Sequence, residues 1–397
     1  MQALTLFPPA RAAGLARLAR FVPRAGTDYA RRRNLDLGPG GHDHVSGLSP
    51  WLRRRLVTEE ELLASVLGRH SPVAARKFVE EVFWRAYWKG WLERRPAVWT
   101  SYRAGLLRAL DRVQTEAGLR QDWAAACRGA TGIDCFDAWA RELATTGYLH
   151  NHARMWFASI WIFTLRLPWE LGADVFLRHL LDGDPASNTL GWRWVAGLQT
   201  PGRTYLARPG NIEKCTGGRF RPEGLAAAAP ALEGPPAPPP RPVPESGRWD
   251  PGRATGLLLT EEDLAPGSLF EAGLAPRATA VLSSVDGLSP LAVAPHLLAF
   301  VEGAIDDATA RWAARLGPVT RLSCADDIAE WAAANGIEQV VTPYPPVGPA
   351  ADALAGRDVI RILRPYDAAA WPHATQGFSS FRARIPSLLD GIGRPAA

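Results

Sequence analysis

The sequence predicts two unlike parts in one chain, an all-helical domain over residues 1–222 and a smaller parallel α/β domain over residues 254–397. Three observations predict this. Up to residue 222 the apolar residues recur at three- and four-residue spacing, the period of a helix. Residues 223–253 are rich in alanine and proline and include Gly234-Pro235-Pro236-Ala237-Pro238-Pro239-Pro240, the composition of a stiff extended linker. Beyond them short apolar runs alternate with helical stretches, as strands joined by crossover helices do.

Charge and aromatic content divide at the same place. Residues 1–222 carry 32 Lys/Arg against 20 Asp/Glu and 12 of the 16 tryptophans, while residues 223–397 carry 13 against 20. The helical part is therefore basic and suits a polyanionic partner. Cys127, Cys135, Cys215 and Cys324 show no paired spacing, which argues against a zinc site or a disulfide framework and makes the reducing cytoplasm the expected compartment. No apolar run is long enough to predict a membrane span, and the N-terminus lacks the order of a signal peptide.

In chain order, Arg11–Phe21 is a short amphipathic segment and Tyr29–Arg33 is basic and helical in tendency. Gly38 to His44 reads as a solvated loop, its two histidines lacking a further metal ligand nearby. Ser49 before Pro50 is a helix start, with Ser49 as N-cap. Arg53, Arg54 and Arg55 end that helix. Thr58 and Glu61 then have the spacing of a capping box. Ala74–Arg94 predicts a long helix with Phe78, Glu81, Val82, Trp84, Arg85 and Trp88 at helical spacing, and on the residues alone this is a core stripe. Beyond residue 254, strands are expected at Thr255–Thr260, Ala278–Ser283, Val319–Leu322, Gln339–Thr342 and Val359–Leu363. The helices between them fall at Pro290–Ala304, Ala308–Leu316 and Asp326–Asn335.

Residues 145–194 are the densest chemically. Asn151, Arg154 and Met155 fall on one face of a helix that is otherwise apolar nearly all round and ends at Leu167-Pro168. A second helix, Glu170–Leu181, leads into Asp182-Gly183-Asp184-Pro185, whose glycine and proline force a turn that brings two carboxylates together. Asp182 needs a partner in such a segment, and Arg154 is the expected one. A structural ion pair would satisfy the same pattern.

Three strings here resemble the photolyase/cryptochrome flavin-binding domain in order and spacing: Thr-Gly-Tyr-Leu-His-Asn-His-Ala-Arg-Met (146–155), Asp-Gly-Asp-Pro-Ala-Ser-Asn (182–188) and Gly-Trp-Arg-Trp (191–194). Val45-Ser46-Gly47-Leu48-Ser49-Pro50-Trp51 is similar to the family's phosphate-binding turn, with valine in place of a threonine, and Phe78–Tyr87 resembles the helix that walls its lesion pocket. The resemblance implies bound FAD lined by Tyr29, Ser46, Leu48, Ser49, Phe78, Arg85, Asn151, Arg154, Phe176, Asp182, Asp184 and Asn188, with Asn188 facing the flavin N5.

It further implies DNA carrying pyrimidine dimers as partner to a monomeric enzyme. Glu81 would hydrogen-bond a flipped-out dimer that stacks on Trp84 and Trp194, with Asn151 and Met155 beside it. His150-Asn151 speaks against the (6-4) branch, and His152 replaces an arginine usual in dimer photolyases, a change that points toward single-stranded substrate. Trp192 and Trp169 match the first two members of the family's electron-transfer chain. No tryptophan stands at the third place near Arg112–Gln114, so the expectation is either a substitute, Trp161, Trp123 or a tyrosine, or weak photoreduction.

The α/β part resembles the family's antenna domain, a Rossmann-like sheet, in Gly336–Val341, Pro343–Pro346 and Phe378–Pro386. That domain normally precedes the flavin domain, so the resemblance implies a circular permutation. Its antenna chromophore would be a folate or a deazaflavin, although no Gly-x-Gly-x-x-Gly string marks a nucleotide site and an empty, structural domain serves equally. Two functional classes follow: light-driven dimer repair, and a cryptochrome-like photoreceptor that binds FAD without repair.

Overall fold

The computed structural model describes residues 2–392. Helices fill the chain as far as Cys215, no helix or strand occurs over 216–254, and the sheet begins at Thr255. The predicted segments appear with small shifts: Arg11–Phe21 as expected, Pro72–Glu93 for the long helix, Asn151–Ser159 running into a π-helical turn Ile160–Thr164, Trp169–His179, and Pro185–Val195. Thr58 and Glu61 form the capping box, each side chain meeting the other's backbone N–H. Such a cap contributes about 1 kcal/mol.

Five parallel strands, β1 (Thr255–Thr260), β2 (Ala278–Leu282), β3 (Val319–Leu322), β4 (Gln339–Pro343) and β5 (Ile360–Ile362), form one sheet in the order β3-β2-β1-β4-β5. The two expected helices between β2 and β3 are one, Pro295–Leu316, because nothing at residues 305–307 breaks the helical pattern. β1, β2 and β4 are wholly buried, as continuous apolar runs in a sheet covered on both faces should be. The strand order reverses between β1 and β4, and an open α/β sheet offers its crevice at that point.

The helical part fills this crevice. Glu93, at the end of the long helix, accepts from Val347 N and Tyr344 Oη just after β4. Arg53 and Arg55 reach Glu262 and Asp263 just after β1. Gly90 lets the two parts close, since a Cβ there would lie 2.8 Å from Trp371 Cα. The Pro-rich run is extended but not free: Leu232 N bonds Ala196 O, Arg241 N bonds Arg94 O, and Gly247 N bonds Arg361 O, which lays it as a strap along the helices to the sheet.

Candidate functional site

The helix that starts at Asn151 and the turn at residues 182–184 meet as expected. Arg154 Nη2 lies 2.8 Å from Asp182 Oδ2, while Arg154 Nε donates to Leu149 O and its guanidinium stands over the Tyr148 ring. The other carboxylate oxygen, Asp182 Oδ1, is buried and has no hydrogen-bond partner among the described residues. A buried acceptor left open is costly unless something donates to it.

The two carboxylates of the turn take separate partners. Asp184 caps the Pro185–Val195 helix through Ser187 N at 2.9 Å and lies 2.8 Å from Lys89 Nζ. Burial opposes its charge, but Lys89 and Arg53 outweigh burial and hold the carboxyl far below the usual range. Asn188, on the first turn of that helix, donates through Nδ2 to Ala173 O at 2.8 Å. Phe176 packs with Phe157 and Trp192 at 5.1 and 5.2 Å. Trp192 is buried against Gly172, where an added Cβ would come within 2.3 Å of the indole.

Other expected residues are placed differently. Glu81 is ion-paired with Arg33, a partner 48 residues away that helical spacing could not reveal. Arg85 is tied to Glu59 at 3.0 Å and to Leu52 O, so its guanidinium is committed to the buried ion cluster. Trp84 stacks on Phe378, and Trp194 stacks on Tyr205 at 5.7 Å, so each expected wall has its own ring partner. Asn151 is exposed at the start of its helix and Met155 is half-buried one turn further on. Tyr29 and Phe78 meet edge to face at 5.2 Å within a cluster that includes Phe21.

Around the expected phosphate turn, the helix spans Ser49–Arg53 with Leu48 as N-cap and no side-chain cap, which corrects the assignment of Ser49. Ser46 Oγ instead accepts from Leu48 N at 3.4 Å, and Arg17 Nε donates to Ser46 O at 2.7 Å. An arginine therefore stands at this turn, a cation that the local motif did not reveal.

The loop carrying His42 and His44 is not solvated. Both are buried, with His42 stacked on His150 at 5.6 Å and His44 at 6.0 Å from it, because the loop folds onto the start of the Asn151 helix. Burial and the neighbouring His42 push His150 down to about 3. Among the described residues no group of three or more His, Cys, Asp or Glu could hold a metal. Near the expected electron path, Trp161 lies 6.1 Å from Trp192, and Tyr102 bridges Trp169 at 5.6 Å to Trp99 at 5.4 Å.

The arginine triplet ends its helix as expected, but it also carries a role that the sequence reading did not assign. Arg53, Arg54 and Arg55 are all buried, facing Glu261, Glu262, Asp263 and Asp367 across the domain boundary. The signal for it was present: three consecutive cations in one domain and the acidic run Glu261-Glu262-Asp263 in the other.

Comparison with known proteins places this geometry. The family model described as the FAD binding domain of DNA photolyase matches residues 78–216, which include Glu81, Arg154, Asp182 and Asn188. Deoxyribodipyrimidine photo-lyase of Streptomyces griseus is 37% identical over 169 residues, covering 41% of this chain and 35% of that protein. The Thermus thermophilus enzyme of the same name is 34% identical over 209 residues, covering 51% and 46%. The chain thus spans less than half the length of these relatives. A class III photolyase structure from Agrobacterium tumefaciens is 27% identical with a TM-score of 0.45, covering 54% of this chain and 44% of that one. Residues 78–216 are the part of the chain that is similar to the FAD binding domain of DNA photolyase.

Proposed function

We propose that this protein is a light-driven DNA repair flavoprotein, a deoxyribodipyrimidine photolyase acting on cyclobutane pyrimidine dimers. The observation that carries the reading is the Arg154–Asp182 pair with its second carboxylate oxygen buried and open, inside the segment that matches the flavin-binding family. The residues fit FAD in kind: an open acceptor for a ring or ribityl donor, the Asn188 amide on the helix that follows the turn, Phe176 and Trp192 as apolar wall, and Ser46 with Arg17 where an anion would lie. FAD, when bound and reduced, would supply on excitation the electron that opens the dimer.

The chain's own residues do the rest. Arg154 orients Asp182, Asn188 is fixed by Ala173 O, and Asn151 stands exposed with Met155 half-buried on the same helix. Tyr205 and His152, with Arg208 and Asn211, line a groove of about 590 Å³, and Trp194 stacks on Tyr205. Such a surface suits displaced bases, whose stacking it replaces.

The α/β part supports the reading of a structural antenna-like domain moved to the C-terminal side, because its sheet crevice is occupied by Arg53, Arg55 and Glu93 rather than left for a chromophore. A folate or deazaflavin would have to bind elsewhere. No helix among the described residues is long and apolar enough to cross a membrane.

A second reading, a photoreceptor that binds FAD without repair, is favoured by the Trp84–Phe378 stack and the Glu81–Arg33 pair, which occupy two of the expected lesion contacts. The test is one assay. Ultraviolet-irradiated oligothymidine, single- and double-stranded, is mixed with the reduced flavoprotein and illuminated with blue light. Loss of dimers supports repair, whereas FAD binding with dimers intact transfers the case to the photoreceptor.

A further inference from the structure

The Asp182-Gly183-Asp184 turn is held from outside its own domain. Arg53 donates through Nε to Gly183 O at 2.9 Å, and the same nitrogen lies 3.8 Å from Asp184 Oδ1. Its other two nitrogens grip both oxygens of Glu262, which follows β1 in the α/β part. Lys89 Nζ closes the group at 2.8 Å from Asp184. The side chains of Arg53, Glu262, Asp184 and Lys89 are 0–5% exposed, so water cannot stand in for any missing partner.

The charges around the turn are closely balanced. Arg53, Arg54 and Lys89 face Asp184, Glu262 and Glu261, and Arg54 keeps Nε and Nη2 without partners among the described residues. Burial works against the Glu262 charge, but Arg53 prevails and holds the carboxyl at about 2. If Glu262 lost its charge, Arg53 would be a buried cation whose nearest remaining carboxylate is Asp184. Breaking one partner of such a pair leaves the other uncompensated. Arg53 would move onto Asp184, compete with Lys89, and pull the turn that caps the helix bearing Asn188.

We propose that Glu262 and Arg53 are positioning residues through which the α/β part sets the geometry of the cofactor-facing turn, so that the second domain is required for flavin retention in the first. This rests on the reading that the turn faces FAD. It assigns the α/β part a role that needs no chromophore of its own.

The experiment uses the full chain and three variants: Glu262→Gln, the double variant Arg53→Met with Glu262→Met, and Glu302→Gln, whose partner Arg321 lies on the exposed surface of the same domain. The FAD dissociation constant, the shape of the bound-flavin absorption band and the thermal midpoint are measured for each. Glu262→Gln is expected to weaken FAD binding by about tenfold or more and to change the band shape. The double variant leaves no unpaired charge, so its thermal midpoint should recover while FAD binding stays weak, because Gly183 O still lacks its donor. Glu302→Gln should behave as the unaltered chain.

Two results overturn the proposal. One is FAD affinity in both altered proteins within about twofold of the unaltered chain. The other is recovery of affinity and midpoint together in the double variant, which would make the pair a domain clamp only. An unaltered chain that takes up no FAD would overturn the cofactor reading as well, and that first measurement tells the two failures apart.

Discussion

Trp84 and Phe378 lie face to face, with ring centroids 3.7 Å apart and planes inclined by 12°. One ring belongs to the long helix of the flavin-binding segment and the other to the short Phe378–Arg382 helix near the end of the α/β part. The spacing is that of a stacked base on an aromatic wall, so Phe378 takes the place expected of substrate. Tyr87 Oη anchors the same segment to Gln376 O at 2.8 Å.

Phe378→Ala is therefore expected to raise the affinity for irradiated oligothymidine, by about fivefold or more if the freed face is worth one base stack. It should cost about 1–3 kcal/mol of stability, less than a fully buried phenylalanine, because Phe378 is only half-buried. Fluorescence anisotropy with labelled oligonucleotide measures the first effect and thermal unfolding the second. Unchanged affinity would remove Trp84 from the binding surface.

Asp182→Asn tests the cradle itself. The substitution keeps the size, removes the charge opposite Arg154, and places an amide where Oδ1 is now open. FAD retention is expected to fall by about tenfold or more, with a loss of about 1–3 kcal/mol in stability. Flavin release on gel filtration, followed by absorbance, reads the outcome. Retention at the level of the unaltered protein would show that Asp182 faces away from the cofactor.

How far these features could be read without coordinates depended on the range over which each is determined. The capping box at Thr58 and Glu61 and the five strands are local patterns of spacing and β-branched content, and the structure reproduces them. The Arg154–Asp182 pair was legible because a buried carboxylate in an apolar segment demands a cation and one candidate lay nearby. The pairs Glu81–Arg33, Trp84–Phe378 and Arg53–Glu262 were not legible, since their members are separated by 48, 294 and 209 residues and only the tertiary fold brings them together. His42 and His44 misled for the same reason: glycines around them indicate a loop, and nothing local says that the loop folds inward onto His150.

Glu81→Gln separates substrate contact from cofactor contact. Burial raises the Glu81 carboxyl and Arg33 opposes the rise, so the pair is a partly desolvated one at the edge of the Phe78 cluster. Dimer repair is expected to slow by about tenfold or more with FAD retained, as loss of one charged hydrogen bond to a base edge would give. Repair rates under fixed illumination and flavin content are measured side by side. Release of FAD instead would place Glu81 on the cofactor wall.

Glu93 makes the contact between the two parts sensitive to pH. Burial raises its carboxyl to about 7, although the Val347 N–H and the Tyr344 hydroxyl both favour the charged form. In the unfolded chain the same group titrates at about 4.3. The folded state therefore binds the proton more tightly. Its contribution is fully present below about pH 4.3 and is lost as pH rises through about 7, amounting to about 4 kcal/mol if the whole shift is realised. His150 runs in the opposite sense: with its folded value near 3, its contribution is present above about 6.5 and is lost as pH falls toward 3. The thermal midpoint should accordingly fall on both sides of mildly acidic pH. Glu93→Gln, which keeps an acceptor for Val347 N–H, should flatten the alkaline limb between about pH 6 and 8 while leaving the decline below about pH 4.3 unchanged. Midpoints measured across that range at constant ionic strength decide it, and an alkaline limb that survives in Glu93→Gln would assign the effect to another group.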